Sequence, residues 1–181
     1  KDSTTLEFPA SNVHMSYKVV LAKESYKFSA THFTILDADK AERLHGHNYQ
    51  VAVEIEFSRL DNNGMAVEFN QIKPMIKALT EQWDEKILIP TQCPFLSLGK
   101  IEIEGDPHLQ VQFGSRHYQF PESEVLYLEI VNATTEELAR TFADHLLAST
   151  ALPSSATALQ VTVLETHGQG SAYRKLLSAS K

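Results

Sequence analysis

The sequence predicts an α+β fold: an antiparallel β-sheet with two helices packed on one face. Three patterns carry that expectation. Apolar residues recur at every second position in several runs, above all from His45 to Phe57, as they do in half-buried strands. Two other segments repeat at three and four, the spacing of an amphipathic helix. Their order, strands then helix, strands, helix and strand, suits helices gathered on one side of an antiparallel sheet. The 181 residues are read as one domain, 1-181, long enough to bury a core.

Taken in order, residues 1–14 lack periodicity and contain Pro9, which reads as a loose arm. Tyr17 to Ala22 is rich in strand formers, and Ser25 to His32 continues the strand after a polar break. Residues 33–44 are charged and without periodicity, hence a loop. In His45–Phe57, one face carries His45, His47, Tyr49, Val51, Val53, Ile55 and Phe57. Asp61-Asn62-Asn63-Gly64 reads as a hairpin turn, because Asn and Gly tolerate positive φ, and Met65 to Phe69 as the returning strand. Phe69, Ile72, Ile76, Leu79 and Trp83 then form a helical stripe, with Asn70 as its cap and Pro74 tolerated near the first turn.

Pro90 and Pro94 bracket a break. Lys100–Glu104, Leu109–Phe113 and His117–Phe120 read as short strands within residues 92-124. Val125 to Ile130 leads to Thr134, which with Glu137 makes a capping box for a second helix striped by Leu138, Phe142 and Leu146. Leu159, Val161, Val163 and Glu165 alternate in a final strand. No repeat of solenoid period is present.

Composition excludes several classes. With 43% hydrophobic and 22% charged residues the chain is ordinary for a globular protein. A net charge of −7 argues against nucleic-acid binding, which favours a basic stripe. No apolar run approaches a membrane span and no signal peptide opens the sequence, so no membrane partner is expected. The single cysteine, Cys93, excludes an internal disulfide, fits a reducing compartment and is read as structural; the expectation is a cytoplasmic protein.

The chemistry concentrates on histidines. His45 and His47 project from the same face of one strand, and His32 ends a second alternating set with Tyr26, Phe28 and Ala30. Three imidazoles on neighbouring strands suit zinc with an open fourth position. Ordinary core or surface histidines are the plainer alternative. Glu165 is the second feature: a carboxylate on the inward side of an apolar strand is costly unless paired, though a glutamate at the strand's exit would face water.

These residues carry a resemblance. Phe28-Ser29-Ala30-Thr31-His32 followed by His45-Gly46-His47-Asn48-Tyr49 resembles the zinc signature of the 6-pyruvoyl-tetrahydropterin synthase and 6-carboxy-tetrahydropterin synthase family. Gly64 to Phe69, Trp83-Asp84-Glu85, Thr134-Thr135-Glu136 and Leu164-Glu165-Thr166 extend the match over most of the chain. The resemblance implies the tunnelling fold, assembled as a homo-hexamer of two stacked trimers with active sites at subunit interfaces. Set against that family, residues 92-124 read as a β insertion, a flap or an oligomer contact. It also implies zinc as cofactor and a pterin substrate such as 7,8-dihydroneopterin triphosphate.

Carried over residue by residue, it assigns His32, His45 and His47 to the metal and Glu165 to the guanidine-like edge of the pterin. Thr134, Thr135 and Glu136 fall near that pocket, although capping alone accounts for the threonines. His167 follows the anchoring strand and faces substrate in this reading. The chain departs from the family at its proton-transfer groups. Ala41 stands where the family has its cysteine, and Asp84 is followed by Glu85 where a histidine is the rule. Glu42 is the candidate replacement base, with a pKa raised by a partly dry pocket; a solvated loop glutamate beside Lys40 and Arg43 would read the same. Asp84 and Glu85 are the remaining catalytic candidates.

Two functions follow. One is a zinc-dependent pterin lyase, in its sharpest form using Glu42 to cleave the side chain to 6-hydroxymethyl-dihydropterin. The other is a zinc- and pterin-binding protein without synthase activity. His14, His108, His117 and His145 are read as bystanders, and Lys27 and Arg174 as solvated charges.

Overall fold

The computed structural model describes residues 16–178; the arm expected over residues 1–14, with His14, lies outside them. The elements are β1 Tyr17–Leu21, β2 Lys27–His32, β3 His45–Phe57, α1 Phe69–Trp83, β4 Lys86–Pro90, β5 Ser97–Ile103, β6 Asp106–Phe113, β7 Arg116–Pro121, β8 Val125–Leu128, α2 Thr135–Ser149, β9 Ala156–Thr166 and β10 Gln169–Leu176. Seven strands form one sheet in the order β10-β9-β3-β2-β4-β8, with β1 also paired to β3; β5, β6 and β7 form a second sheet. The large sheet is antiparallel except at β4, which runs parallel to both β2 and β8.

β3 is the axis of the sheet. One edge pairs with β9, while the other accepts β2 along its first half and β1 along its second. Its alternation is clean: Tyr49, Val51, Val53, Ile55 and Phe57 are fully buried while the intervening residues reach solvent. Burying each such side chain contributes roughly 1.5–3 kcal/mol. The buried face is covered by Ile72, Ile76, Leu79 and Trp83 of α1 and by Leu138, Phe142 and Leu146 of α2. The Trp83 ring meets Phe28 and Phe142 edge-on, at 5.4 and 5.6 Å, joining the sheet to both helices.

Several local expectations are corrected. Met65–Phe69 is not a strand. The Asp61 carboxylate accepts the N–H groups of Asn63 (2.9 Å) and Met65 (2.8 Å), which closes a compact loop rather than a hairpin. The chain then starts α1 at Phe69, with Glu68 rather than Asn70 at the N-cap position. Phe69 leaves the apolar stripe; it is exposed, with the Lys73 ammonium 5.0 Å from its ring centre. Residues 33–44 are more ordered than a loop without periodicity suggests. Ile35 and Ala41 form a β-bridge, and Phe33 and Ile35 are buried in a second core with Leu109, Val111 and Phe113.

β4 and β10 are absent from the sequence reading. The latter is possible because of Gly170, where a bulge brings the two strands of the β9–β10 hairpin together. A Cβ at Gly170 would lie 2.1 Å from the Val163 carbonyl oxygen. No described helix is long and apolar enough to cross a membrane.

Gly170→Ala is expected to destabilise the protein by about 2–3 kcal/mol, because backbone must move to admit the methyl group. Thermal unfolding checks this; an unchanged midpoint would show that the hairpin yields freely.

Candidate functional site

Strand pairing builds the centre of the site. In the β2–β3 ladder His32 lies opposite His45 and Ala30 opposite His47, so three imidazoles share the helix-facing side. Their ring centres are 4.8 Å (His32–His45), 5.3 Å (His32–His47) and 4.7 Å (His45–His47) apart. One nitrogen from each lies within 4.8 Å of the other two. His32 is buried and the other two are half-buried.

Hydrogen bonds decide which nitrogens are free. His32 Nδ1 lies 2.7 Å from the Ala133 carbonyl oxygen, and His45 Nδ1 lies 2.7 Å from that of Arg43. A carbonyl only accepts, so both Nδ1 atoms carry the proton and both Nε2 atoms keep a lone pair. Nε2 of His32 is buried with no hydrogen-bond partner, a cost that a metal ion would remove. Burial also disfavours a charged His32, and charge on its two neighbours adds to that, so its pKa lies below the ordinary value despite the Ala133 carbonyl. A neutral, oriented, unpartnered donor is what a metal requires. The residues present fit a divalent cation such as zinc.

The anchoring candidate lies one step away. Val163 pairs with Val51 across β3 and β9, and the same register carries half-buried Glu165 toward Tyr49, next to His47. Glu165 Oε1 accepts a hydrogen bond from Gln169 Nε2 at 2.7 Å. Burial pushes the Tyr49 phenol well above its ordinary pKa, and the charges of Glu165 and Glu42 add to the shift. His167 is exposed in the β9–β10 turn.

The start of α2 closes this side. Thr134 is its N-cap and accepts from the Glu137 N–H at 3.5 Å, as the capping box requires. Thr135 and Ser171 share a hydroxyl contact of 2.8 Å, which ties the helix to β10. Glu136 sits in the first turn; its own N–H, with the hydroxyls of Ser171, Thr134 and Thr135, holds its carboxylate below the usual pKa.

The proton-transfer candidates are placed separately. Glu42 lies on the loop between β2 and β3 and is exposed. Its carboxylate accepts from the Thr34 N–H at 3.3 Å, and Thr34, through its side-chain hydroxyl first and this amide second, holds the pKa below its ordinary value. The expected upward shift in a dry pocket is therefore corrected: the hydrogen bonds from Thr34 stabilise the anion and outweigh its desolvation. His45 and His32 are close enough for their charge to lower it further. Asp84 caps α1 and accepts from the Ser29 N–H at 2.6 Å, while the Glu85 N–H donates to the Ser29 oxygen at 2.7 Å. Glu85 is exposed, has a positive φ of 56°, and lines an open groove with Gly46 and His47. Cys93 is buried in the second core, beside Phe113 rather than the histidines.

Comparison with known proteins fits this arrangement. The family model for 6-pyruvoyl tetrahydropterin synthase matches residues 21–176. The chain belongs to the 6-pyruvoyl tetrahydropterin synthase family. A relative from Pyrococcus abyssi, provisionally named 6-carboxy-5,6,7,8-tetrahydropterin synthase, is 31% identical over 67% of this chain and 69% of its own. A second of the same provisional name, from Methanocaldococcus jannaschii, is 27% identical over 83% of this chain and 91% of its own. Solved 6-pyruvoyl tetrahydropterin synthase from Plasmodium vivax shares the fold, with a TM-score of 0.82 at 21% identity over 90% of this chain and 99% of that one. That protein has also been solved with alanine or cysteine replacing a glutamate described as a catalytic residue.

Within this family member, four contributors escaped the sequence reading. Gln169 holds Glu165, Ser171 holds Thr135, Ala133 orients His32 through its backbone, and Asn132 bonds both the N–H (3.1 Å) and C=O (2.8 Å) of Ile35. Only Asn132, a polar residue just ahead of a capping box, left a signal that sequence alone offers.

Zinc added to metal-free protein is expected to raise the unfolding midpoint by mass action, by about 2.7 kcal/mol of stability at a hundredfold excess over Kd. His45→Ala should abolish the shift; an equal shift in that variant would place the metal elsewhere.

Proposed function

We propose that this chain is a zinc-dependent pterin lyase acting on 7,8-dihydroneopterin triphosphate or a related pterin. The observation that carries the reading is a cluster of three imidazoles, two of them oriented by backbone carbonyls, near a half-buried carboxylate on the neighbouring strand. His32, His45 and His47 would hold the ion, which supplies Lewis-acid polarisation of a bound side-chain oxygen. Glu165, steadied by Gln169, accepts two N–H groups from the guanidine-like edge and so fixes the ring; such charge-assisted pairs are specific in direction. In this reading Thr134, Thr135, Glu136 and exposed His167 complete the pterin pocket.

Glu42 then takes the proton of the side-chain C2′ hydroxyl, and the C1′–C2′ bond breaks to release the two-carbon aldehyde that carries the phosphates. The electron pair left on C1′ takes a proton back to give 6-hydroxymethyl-dihydropterin. The lowered pKa of Glu42 holds it in the ionised form that a base requires, at the expense of basicity. The P. vivax variants support the role, since a glutamate is described as catalytic on that same fold. Asp84 and Glu85 bind the backbone of Ser29 and set where β2 begins its pairing with β4. In this reading they meet substrate from a neighbouring subunit. A homo-hexamer of stacked trimers is proposed with it, supported by the open edges of β8 and β10 within the described chain.

Two observations favour the second reading, a zinc- and pterin-binding protein without turnover: Cys93 sits in another core and Asp84 is already engaged. Product formation by purified zinc-loaded protein separates the two.

Two substitutions test the roles. Glu42→Gln is expected to lower kcat by about 10²–10⁴-fold with pterin affinity retained. Glu165→Gln is expected to weaken pterin binding by about 10–100-fold, the value of a charge-assisted hydrogen bond. Steady-state kinetics and pterin fluorescence titration check them; full turnover by the first variant excludes Glu42 as base.

A further inference from the structure

The segment that carries Glu42 is folded on itself and then gripped from outside. Thr34 and Glu42 exchange contacts through the Glu42 N–H, which donates to the Thr34 oxygen at 2.9 Å, and the Thr34 N–H, which donates to the Glu42 carboxylate. Asp37 accepts from the N–H groups of Asp39 (2.9 Å) and Lys40 (2.7 Å) at the tip. On one side Asn132 binds Ile35 twice.

On the other side stands Arg116, at the start of β7 in the three-stranded sheet. Its Nη1 donates to the Glu42 carbonyl at 2.6 Å and its Nη2 to the Ala41 carbonyl at 3.0 Å. These carbonyls belong to the two peptide units that flank the Glu42 Cα. Fixing both planes fixes the direction in which the Glu42 side chain leaves the backbone. A planar fork offers two donor nitrogens at a fixed spacing to the adjacent carbonyls, whereas an ammonium donates from a single atom on a flexible stem. The fork is itself seated: it is half-buried and its guanidinium centre lies 5.7 Å from the Phe113 ring centre. Phe113 belongs to the core that also buries Phe33 and Ile35 of the same segment.

We propose that Arg116 is a positioning residue for Glu42, and that residues 92–124 serve the active site by holding that guanidinium in place. The inference rests on the reading of Glu42 as the base. It gives the second sheet a role inside its own subunit.

The test measures kcat, KM and zinc content of zinc-loaded Arg116→Ala, Arg116→Lys and Glu42→Gln with 7,8-dihydroneopterin triphosphate. In Arg116→Ala, kcat should fall about 10–100-fold, the cost of a misplaced reacting group, with KM and zinc content nearly unchanged. Added guanidinium ion should restore part of that loss, and Arg116→Lys should restore little. Wild-type kcat in Arg116→Ala beside an inactive Glu42→Gln overturns the positioning role alone. A loss in Arg116→Ala that comes with lost zinc and no rescue also overturns it, since the residue would then be a support for the fold. Full turnover by Glu42→Gln overturns the base assignment and this proposal with it.

Discussion

The hydrogen bond from His32 Nδ1 to the Ala133 carbonyl, 2.7 Å long and buried, is the constraint on which the site depends. It fixes the tautomer of the most enclosed imidazole and leaves Nε2 with a lone pair and no partner. It also fastens β2 to the residues just ahead of α2. The neighbouring Asn132 side chain binds the Glu42 segment, and Thr134 caps the helix. Three consecutive residues thus orient a metal donor, a loop and a helix N-terminus. A shift in any one of them would be felt by the other two.

Two cores divide the labour. The larger lies between the seven-stranded sheet and the helices and holds β3 rigid along its length, which presents His45 and His47 at fixed spacing. The smaller joins residues 33–44 to the three-stranded sheet. The three imidazoles therefore rest on strands, while Glu42, the proposed base, rests on a loop packed against the smaller core. Rigid strands suit a site whose donors must converge, and a loop suits a group that must approach a substrate's side chain.

What could be read from the sequence follows from this division. His32, His45 and His47 were legible because a period of two states which face a side chain takes, and pairing then needs only register. Glu165 was legible for the same reason. β10 was not: as a largely exposed edge strand it shows little apolar alternation, and its place is set by a bulge at Gly170. β4 is a short apolar run ending in Pro90, indistinguishable from a break until its parallel neighbours are known. The surroundings of Glu42 were least legible. Its pKa depends on the hydroxyl and amide of Thr34, and its carbonyl is held by an arginine 74 residues further along.

The assignment stands on the three imidazoles as the complete protein ligand set of one zinc ion. X-ray absorption at the zinc edge of the loaded protein tests this most directly. The account predicts scattering from three imidazole rings, with any remaining ligand a light oxygen or nitrogen atom. A sulfur ligand, or fewer than three imidazoles, would contradict it.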